Sequence, residues 1–308
     1  DPVEAIIYEL HLRDVSIHPD SGIRHKGKFL GLAEEGTRGP GGILTGLDHI
    51  VDLGVTHVQL LPIYDFATES VDETMLDQPH YNWGYDPKNY NAPEGSYATD
   101  PYAPGVRIKE LKTLIQALHD HGIRVIMDVV YNHVYDGYRV NFTKLVPGYY
   151  LRYKPDGRLS NGSGCGNDCA TERVMMSRFI VDSVLYWAKE YHIDGFRFDL
   201  MGHHMRANME QVRAALDALT METNGVDGAA IYVYGEGWNF GEVADGARGV
   251  NATQLNMAGT GIGTFSDRLR DAVRGGGPFS PLPNQGFASG LSLLPNGLTE
   301  GTDEEQAA

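Results

Sequence analysis

The chain has 308 residues and a net charge of −16, from 25 basic and 41 acidic side chains. Because a phosphate-binding surface must be basic, this balance argues against nucleic acid and anionic membranes as partners. Hydrophobic residues make up 42% of the chain, enough for a sizeable core, yet no apolar run approaches the ~18 residues of a membrane span. Composition leaves the compartment of this soluble protein, extracellular or cytoplasmic, unknown.

Short apolar runs predict buried strands along the chain. The predicted strands are Ala5–Leu12, Thr56–Pro62, Arg124–Val130, Gly195–Leu200 and Ala230–Glu236. A weaker strand and helix are predicted within residues 261–273.

Apolar residues at helical spacing predict helices between these strands. The two clearest faces are Leu44, Leu47, Ile50 and Val51, then Leu111, Leu114, Ile115 and Leu118. Two further helices are predicted over 172–191 and 207–222.

The alternation of strand and helix predicts an α/β fold with a parallel sheet. Long inserts follow two strands, at 64–105 and 134–170, as in barrels whose active sites lie at the carboxyl ends of the strands. We predict a (β/α)8 TIM-type barrel, incomplete in this chain, with about six of the eight units. A doubly wound open sheet is the alternative, but the first strand is followed by no Gly-rich phosphate fingerprint.

Three predicted strands carry a carboxylate at or near their carboxyl ends: Asp128, Asp199 and Glu236. A strand period of two places Arg197 and Asp199 on one face, opposite Phe196 and Phe198. Because strand ends converge in a barrel, these groups should share one site with His133. Clustered carboxylates push one carboxyl pKa up and another down, as acid–base work on a neutral substrate requires.

Two other interpretations of the cluster remain open. An Arg–Asp pair inside a barrel is often only a structural ion pair. Three carboxylates can also bind a metal ion, although Arg197 would repel a cation and already supplies positive charge.

Two further features have more than one interpretation. Cys165 and Cys169 share one loop and are either free thiols or a local disulfide. Residues 65–78 contain five acidic side chains, which form a solvated acidic loop or hold a structural Ca²⁺.

Four motifs then carry a family resemblance. DVVYNH (128–133), GFRFDLMG (195–202) and YGEGW (234–238) resemble three signature regions of the α-amylase superfamily of glycoside hydrolases. HYNWGYDP (80–87), a turn-rich stretch with three aromatic residues, resembles the motif of its α-1,6-debranching members, the type I pullulanases and limit dextrinases. The resemblance runs from about residue 3 to the end of the chain.

The resemblance implies the catalytic roles. Asp199 matches the nucleophile that forms a covalent glycosyl-enzyme with retention of configuration. Glu236 matches the general acid, which later acts as base toward water. Arg197 matches the residue that orients the nucleophile and keeps it ionised. No cofactor is implied for catalysis.

The resemblance also implies the substrate-binding residues. Tyr85 matches the aromatic platform beneath the sugar at the cleaved bond, and Trp238 is the expected platform just beyond it. His133 matches the histidine that bonds the hydroxyls of that sugar, and Asp128 supports Arg197 and His133. Apart from the resemblance, His203 and His204 follow the strand of Asp199, and one of them, His204, is expected to contact the sugar beyond the cleavage point; the alternative is exposed loop histidines.

One part of the family pattern is absent. The family has an HD pair at the end of the seventh strand, whereas the His119–Asp120 pair lies at the end of a predicted helix. We therefore expect residues 1–308 to form a partial catalytic domain, lacking the last part of the barrel and the flanking β-domains. The chain would then be part of a longer protein, or a complementary fragment would complete the barrel.

The resemblance implies hydrolysis of α-1,6 branch linkages in pullulan, amylopectin and limit dextrins. An α-1,4-acting amylase-type enzyme is the alternative within the same class. A catalytically incomplete glucan-binding fragment is the alternative from another class, because the transition-state Asp is absent. We expect this chain alone to have weak activity or none.

Overall fold

The computed structural model describes residues 2–76 and 82–297. The chain divides into two compact units, Asp1–Gly263 and Thr264–Ala308. His80 and Tyr81 of the HYNWGYDP stretch lie outside the described residues.

The described residues contain eight strands. They are β1 (Ile7–Leu10), β2 (His57–Leu60), β3 (Tyr64–Phe66), β4 (Pro87–Pro93), β5 (Arg124–Val129), β6 (Gly195–Phe198), β7 (Tyr232–Gly235) and β8 (Gly263–Thr264). A six-stranded sheet has the order β1-β2-β5-β6-β7-β8, and its first five strands pair in parallel. This sheet is an incomplete (β/α)8 barrel, as predicted.

The helices separate these strands. They are α1 (Phe29–Leu32), α2 (Gly46–Asp52), α3 (Pro104–Asp120), α4 (Asn141–Leu145), α5 (Val174–Tyr191), α6 (Arg206–Asp217), α7 (Met221–Asn224) and α8 (Asp267–Arg274). Short 3₁₀ segments occur at Pro2–Glu4, Pro19–Ser21, Pro40–Gly42, Glu73–Met75, Met201–His203, Gly228–Ala230, Gly241–Gly246 and Phe287–Ser289. None of the described helices is both long enough and apolar enough to cross a membrane.

The predicted helix faces agree with the structure to different degrees. Helix α3 begins at a proline, where the missing N–H costs nothing, and it buries the whole predicted face. Helix α2 buries Leu47 and Ile50, but Val51 is 40% exposed and Leu44 precedes the helix. The prediction was wrong for those two residues, because the helix begins only at Gly46, after Leu44, and Val51 within it faces solvent.

The helix predicted over 207–222 is two helices. Helix α6 ends at Asp217, and the Thr220 hydroxyl then caps α7 by accepting a hydrogen bond from the amide of Thr223 at 3.3 Å. A threonine that caps a new helix start interrupts an otherwise continuous helical pattern.

The insert after β2 contains an antiparallel pair that the sequence did not predict. Strands β3 and β4 pair with irregular register, and Pro87 and Pro93 bound β4. Prolines and asparagines made this segment resemble a loop, whereas proline is tolerated at strand ends. The pair packs on α5, where the Trp187 indole donates to the Tyr90 carbonyl at 2.9 Å. It carries the loop with Trp83 and Tyr85.

The core lies between the sheet and the helices. Phe196 and Phe198 of β6 are completely buried, while Arg197 between them points to the other face. The period of two therefore produces an apolar outer face and a charged inner face on one strand, as predicted.

Candidate active site

The catalytic candidates lie at the carboxyl ends of neighbouring parallel strands. Asp128 of β5 pairs in register with Arg197 of β6, and Arg197 pairs with Tyr234 of β7. Asp199 and Glu236 each follow directly after the end of their strand. The parallel register thus brings residues from three distant chain segments to one place.

Arg197 contacts all three carboxylates. Its Nη1 lies 2.9 Å from an oxygen of Asp128 and 2.9 Å from one of Asp199, and its Nη2 lies 2.9 Å from an oxygen of Glu236. Burial acts to lower the pKa of this guanidinium, but the three negative charges raise it above its ordinary value. A buried cation of this kind is stable only with such partners.

The three carboxylates differ in solvent exposure. The side chain of Asp128 is 0% exposed, whereas those of Asp199 and Glu236 are 13% and 21% exposed. Of the three carboxylates, only Asp199 and Glu236 can therefore contact a ligand. Burial raises the pKa of Asp128 to about 7, against the opposing effects of Arg197 and Tyr85.

Asp199 is held on both carboxylate oxygens. Arg197 contacts Oδ1, and the side-chain amide of Asn132 donates to Oδ2 at 2.8 Å. Asn132 had no predicted role, although its place beside His133 in the strand-end motif pointed to this site. Burial lowers the pKa of His133, although the Asp199 charge and the Tyr85 carbonyl act to raise it.

Glu236 is also held on both oxygens. Arg197 contacts Oε1, and the backbone amide of Leu200 donates to Oε2 at 3.0 Å. Leu200 has φ 42° and ψ 48°, a left-handed conformation that a leucine rarely adopts. Strain of this kind persists where surrounding contacts require it, and here it accompanies the amide contact to Glu236.

Tyr85 is fixed at both ends. Its hydroxyl donates to Asp128 Oδ2 at 2.7 Å, and its backbone carbonyl lies 2.7 Å from His133 Nε2. Burial and then the Asp128 charge raise the pKa of Tyr85, so it remains a neutral donor. The Arg197 guanidinium lies 6.0 Å from the ring centroid.

Trp238 lies half-buried in the loop after β7. The backbone of Gly202 approaches it closely, since a Cβ at Gly202 would stand 2.0 Å from the Trp238 carbonyl oxygen. Only glycine therefore fits at this position. The Gly202 amide also donates to the Glu236 carbonyl at 2.8 Å, which ties the loops after β6 and β7 together.

Comparison with known proteins decides the family. The family described as "Alpha amylase, catalytic domain" matches residues 33–146. The chloroplastic pullulanase 1 of Arabidopsis thaliana is 43% identical over 97% of this chain and 34% of its own length. The chain belongs to the pullulanase branch of the α-amylase superfamily.

Two other pullulanases are similarly close in sequence. The Bacillus subtilis pullulanase is 48% identical over 89% of this chain and 36% of its own length. The Paenibacillus barengoltzii pullulanase, solved with maltohexaose and α-cyclodextrin, is 60% identical with a TM-score of 0.86, covering 93% of this chain and 43% of that one. The chain thus spans between 34% and 43% of the length of these pullulanases.

His204 is not at the surface of this pullulanase-type site. Its ring is completely buried, Nδ1 lies 3.1 Å from Asn208 Oδ1, and the ring packs edge-on against Phe198. Burial lowers its pKa to about 4. The sugar contact at His204 stays a prediction, and the alternative of an exposed loop histidine is wrong.

The His119–Asp120 pair lies at the end of α3, as the sequence predicts. His119 Nε2 bonds the Asp194 carboxylate at 2.7 Å, just before β6 begins. That is the opposite end of the strand from Asp199, so this pair does not substitute for the family's HD pair.

Asp65, Glu73 and Glu94 form the one cluster in the described ranges whose carboxylate oxygens could hold a metal ion, within 4.8 Å of one another. Arg107 already bonds Asp65 at 3.0 Å and Glu73 at 2.9 Å. Of the acidic loop considered for Ca²⁺, residues 77 and 78 lie outside the described residues.

Both cysteines are free thiols; Cys165 is exposed and Cys169 is buried. The local disulfide is therefore not formed. Burial raises the pKa of both thiols.

Proposed function

We propose that this chain carries the catalytic pair of a retaining glycoside hydrolase that cleaves α-1,6-glucosidic branch linkages in pullulan, amylopectin and limit dextrins. The observation that carries the proposal is the bonding of Asp199 and Glu236 to one guanidinium. A shared cation holds the two carboxylates near each other, as a retaining pair requires. The similarity to pullulanases supports the linkage.

In the first step, a carboxylate oxygen of Asp199 attacks the anomeric carbon as the bond to the glycosidic oxygen breaks. Glu236 donates its proton to that leaving oxygen. In the second step, Glu236 takes a proton from water, whose oxygen attacks the anomeric carbon and releases Asp199. Two inversions give net retention, and neither step requires a cofactor.

The remaining residues bind the glucan. Tyr85 presents its ring to the C–H face of the sugar at the cleaved bond, and His133 bonds its hydroxyls. Asp128 holds Arg197 and Tyr85 in place. Trp238 supports the sugar beyond the bond. The two α-glucan ligands of the Paenibacillus barengoltzii pullulanase support this substrate class.

We also propose that residues 1–308 are one partial catalytic domain, completed by a segment with the seventh and eighth strands. That segment supplies the Asp of the HD pair, which stabilises the transition-state sugar. The alternative is a glucan-binding fragment that does not turn over. A structural Ca²⁺ at the Asp65 cluster is less supported than an ion-paired acidic loop, because Arg107 occupies it.

Product analysis on pullulan tests the function. Maltotriose as the product supports α-1,6 cleavage, whereas panose supports an α-1,4 specificity. Pullulan binding without any product supports the glucan-binding fragment. The chain should be assayed alone and together with the complementary segment.

A further inference from the structure

The side chain of Asn132 is bonded at both ends and completely buried. Its Nδ2 donates to Asp199 Oδ2 at 2.8 Å and to the Asp199 backbone carbonyl at 2.9 Å. Its Oδ1 lies 2.6 Å from Nδ1 of His133. The amide therefore connects the proposed nucleophile to a residue of the proposed sugar site.

The orientation of this amide follows from its partners. A carboxylate and a carbonyl only accept hydrogen bonds, so the NH₂ group must face Asp199 and the oxygen must face His133. The opposite orientation would place the amide oxygen against two other oxygens in a buried site, which is strongly unfavourable.

We propose that Asn132 is a positioning residue that fixes the Asp199 carboxylate for attack on the anomeric carbon. The inference rests on the proposed role of Asp199. Arg197 Nη1 serves Asp199 and Asp128 together, so alone it does not set the rotation of the Asp199 carboxylate. A second donor on the other oxygen leaves the group one orientation.

The same amide couples the nucleophile to the aromatic platform. His133 bonds Asn132 through Nδ1 and the Tyr85 carbonyl through Nε2 at 2.7 Å. Both of these partners are hydrogen-bond acceptors, so a neutral His133 ring donates to one of them, and both bonds form together only when each ring nitrogen carries a proton.

Asn132→Asp is the discriminating variant. It preserves the shape and the oxygen that faces His133, but it replaces the donor to Asp199 by a second acceptor. A role limited to holding His133 would survive this change. Asn208→Asp is the matched control, because Asn208 is also buried, bonds His204 through Oδ1 and donates to Ser177 Oγ at 2.8 Å.

The measurement is a ¹³C titration of aspartate carboxyl signals in the full chain, with Asp199→Asn to assign the signal. In Asn132→Asp we expect the Asp199 signal to titrate about one pH unit or more above its position in the unmodified chain, because its carboxylate loses a donor and gains a like charge. Asn208→Asp should leave it unmoved. All other titratable groups near Asp199 are the same in both variants: Tyr85, Asp128, His133, Cys165, Arg197, His203 and Glu236.

An unchanged Asp199 titration in Asn132→Asp overturns the proposal. If that variant loses its cooperative melting transition, Asn132→Ala with Asn208→Ala as control gives the same comparison. The titration needs no turnover, so it is independent of the pullulan assay. A displaced signal with no pullulan cleavage by the completed barrel supports the contact of Asn132 with the Asp199 carboxylate and counts against the proposed function.

Discussion

At the scale of single residues, one guanidinium organises the site. Arg197 is paired with three carboxylates, of which two are accessible and one is buried. Removing a partner from such a buried network leaves an uncompensated charge, which costs more than the pair itself contributes. Asp128, Asp199 and Glu236 share the same cation, so their different proposed roles follow from their different burial.

Replacing Glu236, the proposed general acid, tests these roles. Glu236→Gln keeps the size and the contact with the Leu200 amide but has no proton to donate. We expect pullulan hydrolysis, measured with the completed barrel, to fall by about 10²–10⁴-fold. Glu210→Gln, on the exposed face of α6, is the control and should retain full activity. Near-normal rates in Glu236→Gln would contradict the acid role.

Leu200 gives a second test at this scale. Its left-handed backbone is tolerated better by asparagine than by a β-branched residue. Leu200→Val should lower the free energy of unfolding by about 1–2 kcal/mol relative to Leu200→Asn, as measured by urea denaturation. Equal stability of the two variants would show that this conformation carries no strain.

At the scale of elements, the β3–β4 pair positions the aromatic loop. Glu94 follows β4, is almost fully buried, and accepts hydrogen bonds from the amides of Phe66 and Ser96. Burial raises the pKa of Glu94 to about 7. The β3–β4 strand pair is therefore held by the Glu94 carboxyl group, whose charge changes near neutral pH.

The sign of the resulting pH dependence follows from this raised pKa. The folded chain binds the Glu94 proton more tightly than the unfolded chain does. This contribution to stability is complete below about pH 4.5 and is lost as the pH rises to about 7, amounting to ~3 kcal/mol at most. In Glu94→Gln, the stability measured by thermal melts should no longer show this decrease between pH 4.5 and pH 7. Glu210→Gln should keep it, and an unaltered slope in Glu94→Gln would contradict the assignment.

At the scale of the whole molecule, the sheet runs from β1 to β8 and presents the site at its carboxyl edge. Closing a parallel barrel removes its open edges and covers its core. Completion should therefore change both stability and activity.

A complementation experiment tests this expectation. Adding a segment with the seventh and eighth strands should raise the melting temperature by several degrees and give pullulan turnover. The same segment with the Asp of its HD pair changed to Asn should restore the stability but not the turnover. Full activity of the unmodified chain alone would contradict the proposal.

The sequence by itself determined the alternation of strands and helices and the family motifs. Periodicity identifies which face of β6 is apolar, and spacing places Asp128, Asp199 and Glu236 at strand ends; both are local properties of the chain. The α3 face was predictable for the same reason.

Only the tertiary structure decided which of these residues meet and how. The burial of Asp128 and His204, the sharing of Arg197, the amide bridge of Asn132 and the left-handed Leu200 depend on contacts between segments far apart in sequence. The β3–β4 pair was missed because its residues resemble a loop locally and become strands only through mutual pairing. Burial and pairing are properties of the assembled fold, and they set the charges on which the proposed chemistry depends.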